Sequence, residues 1–457
     1  MTGVQTCALP ICRFARIKVP PVLPRLWQVG TQTYILIEQI IAANLDILFP
    51  GMEILEHHLF RVTRDADIEI EEDEADDLLI AIEEELQRRR FGKVVRLEVE
   101  RSMPPSTRSL LRRGLGLESA DVYEIAGMLD LTALDAIADL PVAALHRTPW
   151  TPVAPARLTP PDDGTEADVF AAIREADLLV HHPYESFAGS VQRFIEQAAA
   201  DPDVLSIKMT LYRTSGDSPI VRALIAAAER GKQVVVTVEI KARFDERANI
   251  VWARALERAG AHVAYGVVGL KTHCKAALVV RREGRGLRSY LHLGTGNYNP
   301  KTARTYTDLG LLSDDPTLCA DVTDLFNVLT GVARKDRYRR LLVAPRGIRP
   351  GIGDLIEGEI ARQREHGDGR IVMKMNALVD PGIVWALYAA AQAGVRIDLI
   401  VRGMCSLVPG REGWSETVRV RSVIGPYLEH SRIYAFGDGA RRRVWIGSAD
   451  MMERNLD

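Results

Sequence analysis

The sequence predicts an α/β protein in which one strand–helix–strand unit occurs twice, preceded by a smaller α+β segment. Three observations carry this. Strand-like and helix-like stretches alternate over residues 204–264, which calls for a largely parallel sheet with right-handed crossovers. The same succession returns near residue 370: Ile220-Val221-Arg222-Ala223-Leu224 runs to Gly231 and then a strand, as Ile383-Val384-Trp385-Ala386-Leu387 runs to Gly394 and then a strand, and Lys208-Met209-Thr210 parallels Lys374-Met375-Asn376. Each copy also carries a histidine, a cation two residues on, and a later small-residue turn. These are His273-Cys274-Lys275 with Gly294-Thr295-Gly296-Asn297, and His430-Ser431-Arg432 with Gly447-Ser448-Ala449-Asp450. Self-similarity on this scale is a duplicated domain rather than a solenoid repeat.

The bounds from composition agree. A chain of 457 residues has room for about three domains of ordinary size. Hydrophobic residues at 47% and charged residues at 26% describe an ordinary globular protein, and a net charge of −3 argues against a general nucleic-acid binder. An anion site must then be a local cluster of Arg and Lys. Five cysteines show neither CxxC nor zinc spacing and read as free thiols of a reducing, cytoplasmic compartment. No run of 18 apolar residues is present to span a membrane.

Taken in order, residues 1–12 fit neither helix nor strand, lack the pattern of a signal peptide, and read as a non-native or disordered leader. Residues 13–150 mix short strands with helices. The clearest helix is residues 74–90, with Leu78, Leu79, Ile82 and Leu86 on one face, acids leading and arginines closing. The acidic run 69–77 reads as a solvated face. Pro149, Pro152, Pro155, Pro160 and Pro161 mark a linker or a long crossing loop and a boundary near residue 160.

Leu205, Ile207, Met209 and Leu211 alternate with polar residues as a half-buried strand would, delivering Arg213 at its end. Ser218-Pro219 is an N-cap followed by N1, and Gly231 closes that helix. The apolar run 234–240 reads as a central strand delivering Lys241 and Arg243, and residues 397–401 deliver Arg402 at the comparable place. Ligands of open α/β sheets bind beyond such strand ends. Residues 345–353, rich in Pro and Gly, form a second break, giving a first copy over 160–340 and a second over 341–457. The chain stops soon after the second turn, whereas the first copy continues well past its own, so a C-terminal truncation is expected.

Chemistry concentrates at the histidines. The run 276–282 is apolar and β-branched, so His273 and Lys275 are expected side by side on one strand face. An imidazole can attack phosphorus while a cation holds the charged oxygens. A single His-x-Lys is also an ordinary wet strand face; the duplication favours a two-fold site with one histidine from each copy.

Together these stretches resemble the polyphosphate kinases that are phosphorylated on histidine. The motifs are Leu211-Tyr212-Arg213, Lys241-Ala242-Arg243-Phe244-Asp245-Glu246, Lys271-Thr272-His273-Cys274-Lys275, Gly294-Thr295-Gly296-Asn297-Tyr298-Asn299, Thr302-Ala303-Arg304-Thr305-Tyr306-Thr307-Asp308, Val401-Arg402-Gly403-Met404-Cys405-Ser406-Leu407 and Glu429-His430-Ser431-Arg432, in that order. The resemblance implies a head domain over 13–150 and two phospholipase D-like α/β domains, the second incomplete. It implies reversible transfer of the terminal phosphate of ATP to inorganic polyphosphate. His273 would be the phosphorylated residue, and His430 an ATP contact and proton donor or acceptor. Tyr306 and Arg402 would touch the nucleotide, with Lys275 on phosphate. Arg213 and Arg243 correspond to positions the family associates with phosphate and Mg²⁺. A guanidinium has no lone pair for a metal, so they would hold the phosphates of a Mg–nucleotide. The family also implies homo-oligomers, peripheral at the inner membrane face, and an N-terminal helical domain that nothing in residues 1–12 matches. Two other readings stand beside it. One is a phospholipase D-type phosphodiesterase, disfavoured because Val279 and Val280 occupy the region where those enzymes place an Asp. The other is an inactive fragment that binds polyphosphate or nucleotide.

Overall fold

The computed structural model describes residues 14–20, 22–65, 92–159, 167–212, 218–239, 246–267 and 269–457. The helix expected over 74–90, the acidic run, and Arg213, Lys241 and Arg243 lie outside them. The described chain falls into two compact units, one within residues 1–148 and one spanning 149–457.

The first unit has a hairpin, β1 (Leu26–Gly30) and β2 (Thr33–Leu36), and a three-stranded sheet of β3 (Phe60–Arg64), β4 (Val94–Glu100) and β5 (Val122–Ile125). Leu97 and Val99 of β4 pack with Met103, Leu111 and Leu117 around the helix Pro105–Gly114. This is a mixed α and β segment, as expected.

The second unit contains both copies. In the first, β6 is Leu178–His182, β7 Val204–Leu211, β8 Gln233–Val238, β9 His262–Ala264, β10 Lys275–Glu283, β11 Gly286–Gly294 and β12 Tyr306–Ser313. In the second, β13 is Arg370–Met375, β14 Arg396–Val401, β15 Val418–Arg421, β16 Leu428–Glu429, β17 Arg432–Phe436 and β18 Arg443–Gly447. The order β9-β8-β7-β10-β11 in one sheet repeats as β15-β14-β13-β17-β18 in the other, with the same parallel and antiparallel pairings. The duplication inferred from the sequence is therefore a duplication of topology.

The sheets are mixed rather than largely parallel. Only β7, β8 and β9 run parallel within the first copy, while β10, β11, β12 and β6 alternate in direction. The reason is local: Glu283 pairs with Gly286 across a two-residue turn opened by Gly284 at φ 57, and a hairpin that short can only reverse the chain. β7 is also not half-buried. It lies between β8 and β10, and Ser206 and Thr210 are as inaccessible as Ile207 and Met209. One face of the sheet is covered by the helices Arg193–Ala200 and Pro219–Glu229, the other by Pro316–Leu329. Along β10, Ala277 and Val279 enter the first of these cores while Ala276 and Leu278 enter the second.

The caps behave as their residue types dictate. The Ser218 hydroxyl accepts from the Val221 amide at 3.3 Å, with Pro219 at N1, and Asp380 accepts from Ile383 at 2.9 Å, with Pro381 at N1. Gly231 and Gly394 end these helices at φ 81 and 90, a backbone conformation a side chain would strain. Two breaks are shorter than expected. Ile348–His366 is a helix that begins inside the Pro/Gly-rich stretch, because Pro350 sits in its first turn, where the missing N–H has no intrahelical partner to lose. The described part of the supposed linker is docked: Val153 exchanges backbone bonds with Tyr184 and Ser186, and Leu158 is buried in the core.

Candidate functional site

The two copies meet where β16 of the second pairs in parallel with β12 of the first, Tyr306 opposite Leu428 and Thr307 opposite Glu429. The Ser431 amide then donates to the Thr307 carbonyl at 2.9 Å. This short ladder places His430 beside Asp308. The His430 Nδ1 lies 2.9 Å from both Asp308 carboxylate oxygens, and Thr295 of the first glycine turn donates its hydroxyl to Asp308 Oδ1 at 2.6 Å. On its other side, His430 Nε2 accepts from Arg432 Nη1 at 3.1 Å. Arg432 in turn makes a two-pronged pair with Asp450 of the second turn, at 2.9 and 3.3 Å, and both side chains are buried.

His273 stands on the first-copy side. It precedes β10 rather than lying on it, so it does not share a strand face with Lys275; the buried Lys275 ammonium bonds the His273 carbonyl oxygen at 2.6 Å. The Thr210 hydroxyl donates to the Cys274 carbonyl at 2.8 Å, and the buried Glu239 carboxylate accepts from the Thr272 amide at 2.8 Å, so the segment is held at both ends by its sheet. The Tyr212 ring meets the His273 ring edge-on with centroids 4.9 Å apart. The His273 Nδ1 is buried and bonds to no described group. Lys275, Arg432 and His430 all act on His273 electrostatically, and its ring bonds the Ser448 backbone of the second turn. Each histidine thus reaches the other copy.

Burial holds His273 well below the ordinary histidine range, and the neighbouring Lys275, Arg432 and His430 add to this. Burial also lowers His430, against the Asp308 bond that favours its charge, with Arg432 and Lys275 on the lowering side. Both imidazoles are therefore uncharged near neutral pH. The same holds behind the site, where burial lowers His182 and pushes His292 down to about 3. The sign of the stability effect follows. These histidines take up protons below pH 6.5 when unfolded but resist them when folded, so stability is complete above 6.5 and falls as pH drops below it. Each fully resistant histidine costs about 1.4 kcal/mol per pH unit. The urea midpoint should fall steadily from pH 6.5 downward, and His292→Gln should flatten that slope.

Of the residues expected from the sequence, His273, Lys275, His430, Tyr306 and Arg402 come together. The Tyr306 ring lies 5.1 Å from the His430 ring, and Arg402, half-buried, donates to the Glu429 carbonyl at 3.1 Å. Asp308, Arg432 and Asp450 stand within the quoted motifs, but the sequence assigned none of them a role in the site. A signal for Asp308 existed in Thr305-Tyr306-Thr307-Asp308, an acid on an otherwise apolar strand, but nothing along the chain ties it to a histidine more than a hundred residues away. Among the described residues no group of three His, Cys, Asp or Glu could hold a metal ion. The site's carboxylates are engaged with histidine, arginine and lysine, Glu429 with Lys374 at 2.9 Å.

Three polyphosphate kinase families match successive parts of the chain: the middle domain over residues 11–137, C-terminal domain 1 over 168–335 and C-terminal domain 2 over 341–457. The chain belongs to the polyphosphate kinase family. It is 56% identical over 444 residues to a polyphosphate kinase of Streptomyces coelicolor, covering 97% of this chain and 60% of that one. It is 58% identical over 459 residues to one of Mycobacterium marinum, covering 97% and 62%. The crystal structure of polyphosphate kinase from Porphyromonas gingivalis matches with a TM-score of 0.79 at 34% identity, over 95% of this chain and 63% of that one. The chain thus spans about three-fifths of the length of the curated relatives it matches. No helix among the described residues is long and apolar enough to cross a membrane.

Proposed function

We propose that this chain carries the phosphotransfer centre of a polyphosphate kinase, moving the terminal phosphate of ATP reversibly to inorganic polyphosphate through a phosphohistidine on His273. The observation that carries the proposal is the placement of His273: its Nδ1 bonds to no described group, Lys275 of its own copy lies beside it, and His430 and Arg432 of the second copy act on it across the junction, with burial holding it below the ordinary histidine range. A nitrogen that stays unprotonated near pH 7 keeps its lone pair for phosphorus. As its bond to the γ-phosphorus forms, the bond to the bridging oxygen breaks and ADP leaves with that electron pair. In the second half the chain end of polyphosphate attacks phosphorus, and the histidine nitrogen leaves.

Charge on the three equatorial oxygens is the main demand of such a transfer. Lys275 and Arg432 supply fixed cations within the described site, and Arg213 and Arg243, outside the described residues, are proposed as further phosphate clamps. Mg²⁺ enters with the nucleotide and neutralises its phosphates. Tyr306 and Arg402 flank His430 and are proposed to contact the nucleotide. His430 has its Nδ1 proton committed to Asp308 and its Nε2 lone pair facing Arg432, which suits it to accept a proton or to receive one and pass it to a departing oxygen. Homo-oligomerisation and attachment to the inner face of the membrane are proposed by family likeness alone.

The test is incubation of the purified chain with Mg²⁺ and γ-labelled ATP. Acid-labile, base-stable label is expected on the wild type and absent from His273→Ala. Label that persists in His273→Ala removes the proposal, and hydrolysis of a phosphodiester with no phosphoenzyme would return the phosphodiesterase reading.

A further inference from the structure

Asp308 also lines a cavity with room for about one water molecule. Its lining includes His182, His292, Asn297, Ala303 and Asp308. Three of the lining polar atoms, His182 Nε2, His292 Nε2 and Asn297 Oδ1, are buried and bond to no described protein group. His182 and His292 are 4% and 3% exposed, so bulk solvent does not satisfy them. Leaving such an atom unsatisfied costs on the order of 1–3 kcal/mol. Three of them converging on one small space is a built arrangement. The chain also makes room for it. A Cβ on Gly310 would lie 2.5 Å from His292 Nε2, one on Gly294 2.9 Å from His292 Cε1, and one on Gly296 2.3 Å from Asp308 Oδ2.

Bond polarity identifies the occupant. His182 Nδ1 is 3.0 Å from the Glu185 carbonyl, which can only accept, so the proton is on Nδ1 and Nε2 offers a lone pair. His292 Nδ1 is 2.8 Å from the Tyr298 hydroxyl, and with that hydroxyl donating to it the His292 Nε2 carries the proton and points it into the cavity. Asp308, directly opposite His182 across the β6–β12 pairing, adds a carboxylate. The walls present one donor and at least two acceptors. A bare cation would meet the N–H, and an anion would meet the carboxylate. A water molecule satisfies both kinds of wall. The Asn297 amide, which can be turned over without changing shape, closes the fourth direction.

We propose that this cavity is an internal hydration site. One water donates to His182 Nε2 and to the Asp308 carboxylate and accepts from His292 Nε2–H, and through Asp308 it orients His430. His182 and His292 are then positioning residues for the phosphotransfer centre, acting through a water and an acid. The groups facing His430 itself are Asp308 from β12, Lys275 and His273 from the first copy, Tyr306 at the start of β12 and Arg432 on β17.

The test uses readouts that do not need ATP, so its failure and the failure of the phosphotransfer reading are distinguishable. A high-resolution crystal structure of the wild type should show one isolated density within hydrogen-bond distance of His182 Nε2, His292 Nε2 and Asp308. Ala303→Val fills the space and leaves every polar group in place; His182→Phe removes the acceptor and serves if the first variant does not fold. In ¹³C-histidine spectra, with His430 assigned by its loss in His430→Asn, either variant should raise the His430 titration midpoint by about 0.5–1 pH unit. The Asp308 charge, no longer shared with water, then acts fully on the imidazole. A merely structural role would lower the melting temperature and leave that midpoint unmoved. A dry cavity in the wild type, or a midpoint unchanged in both variants, overturns the proposal.

Discussion

Asp308→Ala is expected to slow ATP-dependent polyphosphate synthesis about 10²–10⁴-fold, the range that positioned proton transfer contributes. The carboxylate does three things that no neighbour can replace. It accepts the His430 Nδ1 proton at 2.9 Å, it receives the Thr295 hydroxyl at 2.6 Å, and it opposes the lowering of His430 by burial and Arg432. Without it, the His430 ring loses both its tautomer and its orientation. Because Asp308 does not touch His273, rapid-quench labelling of His273 should remain detectable while steady-state turnover falls. Asp308→Asn keeps the shape and one acceptor, so it should recover part of the rate. A turnover within threefold of wild type in Asp308→Ala would show that His430 needs no acid behind it.

The second large effect is expected at Asp450→Ala. Arg432 is 4% exposed, and Asp450 supplies the only carboxylate in two-pronged contact with it among the described residues. Removing one partner of a buried pair strands the other charge, at about 3–5 kcal/mol. Asp450 also accepts from the Asn376 amide at 2.7 Å, so the end of β13 loses its anchor as well. Urea unfolding should show a loss of that size. A double change, Asp450→Leu with Arg432→Met, should recover much of the stability because neither charge is left buried, yet not the turnover, since Arg432 stands 3.1 Å from His430 Nε2. If the double variant is as unstable as Asp450→Ala, the cost lies in packing and not in the stranded charge.

The local rules were legible from the chain. Ser218-Pro219 and Asp380-Pro381 announce helix starts, and Gly231 and Gly394 announce their ends, because those residue types satisfy or release the backbone at fixed offsets. The pairing of His273 with His430 was legible as well, since a duplicated motif is a pattern in one dimension. Where local reasoning failed, a neighbour distant in sequence decided. β7 alternates like a half-buried strand, yet its polar Ser206 and Thr210 are buried as well, and the Thr210 hydroxyl is satisfied by the Cys274 carbonyl more than sixty residues away. His273 and Lys275 have strand spacing, yet the strand begins only at Lys275, where Thr210 and Glu239 hold the preceding segment in another path.

By itself the sequence determined where these helices start and stop, which depends on residues within a turn of one another, and the recurrence of one set of motifs around His273 and His430, which is a pattern along the chain. Tertiary structure alone decided which acid serves which histidine. Two residues of parallel ladder between β12 and β16 bring Asp308 to His430, and the second turn brings Ser448 to His273. Hydrogen bonds and charge act over a few ångströms of space, and separation along the chain does not measure that distance.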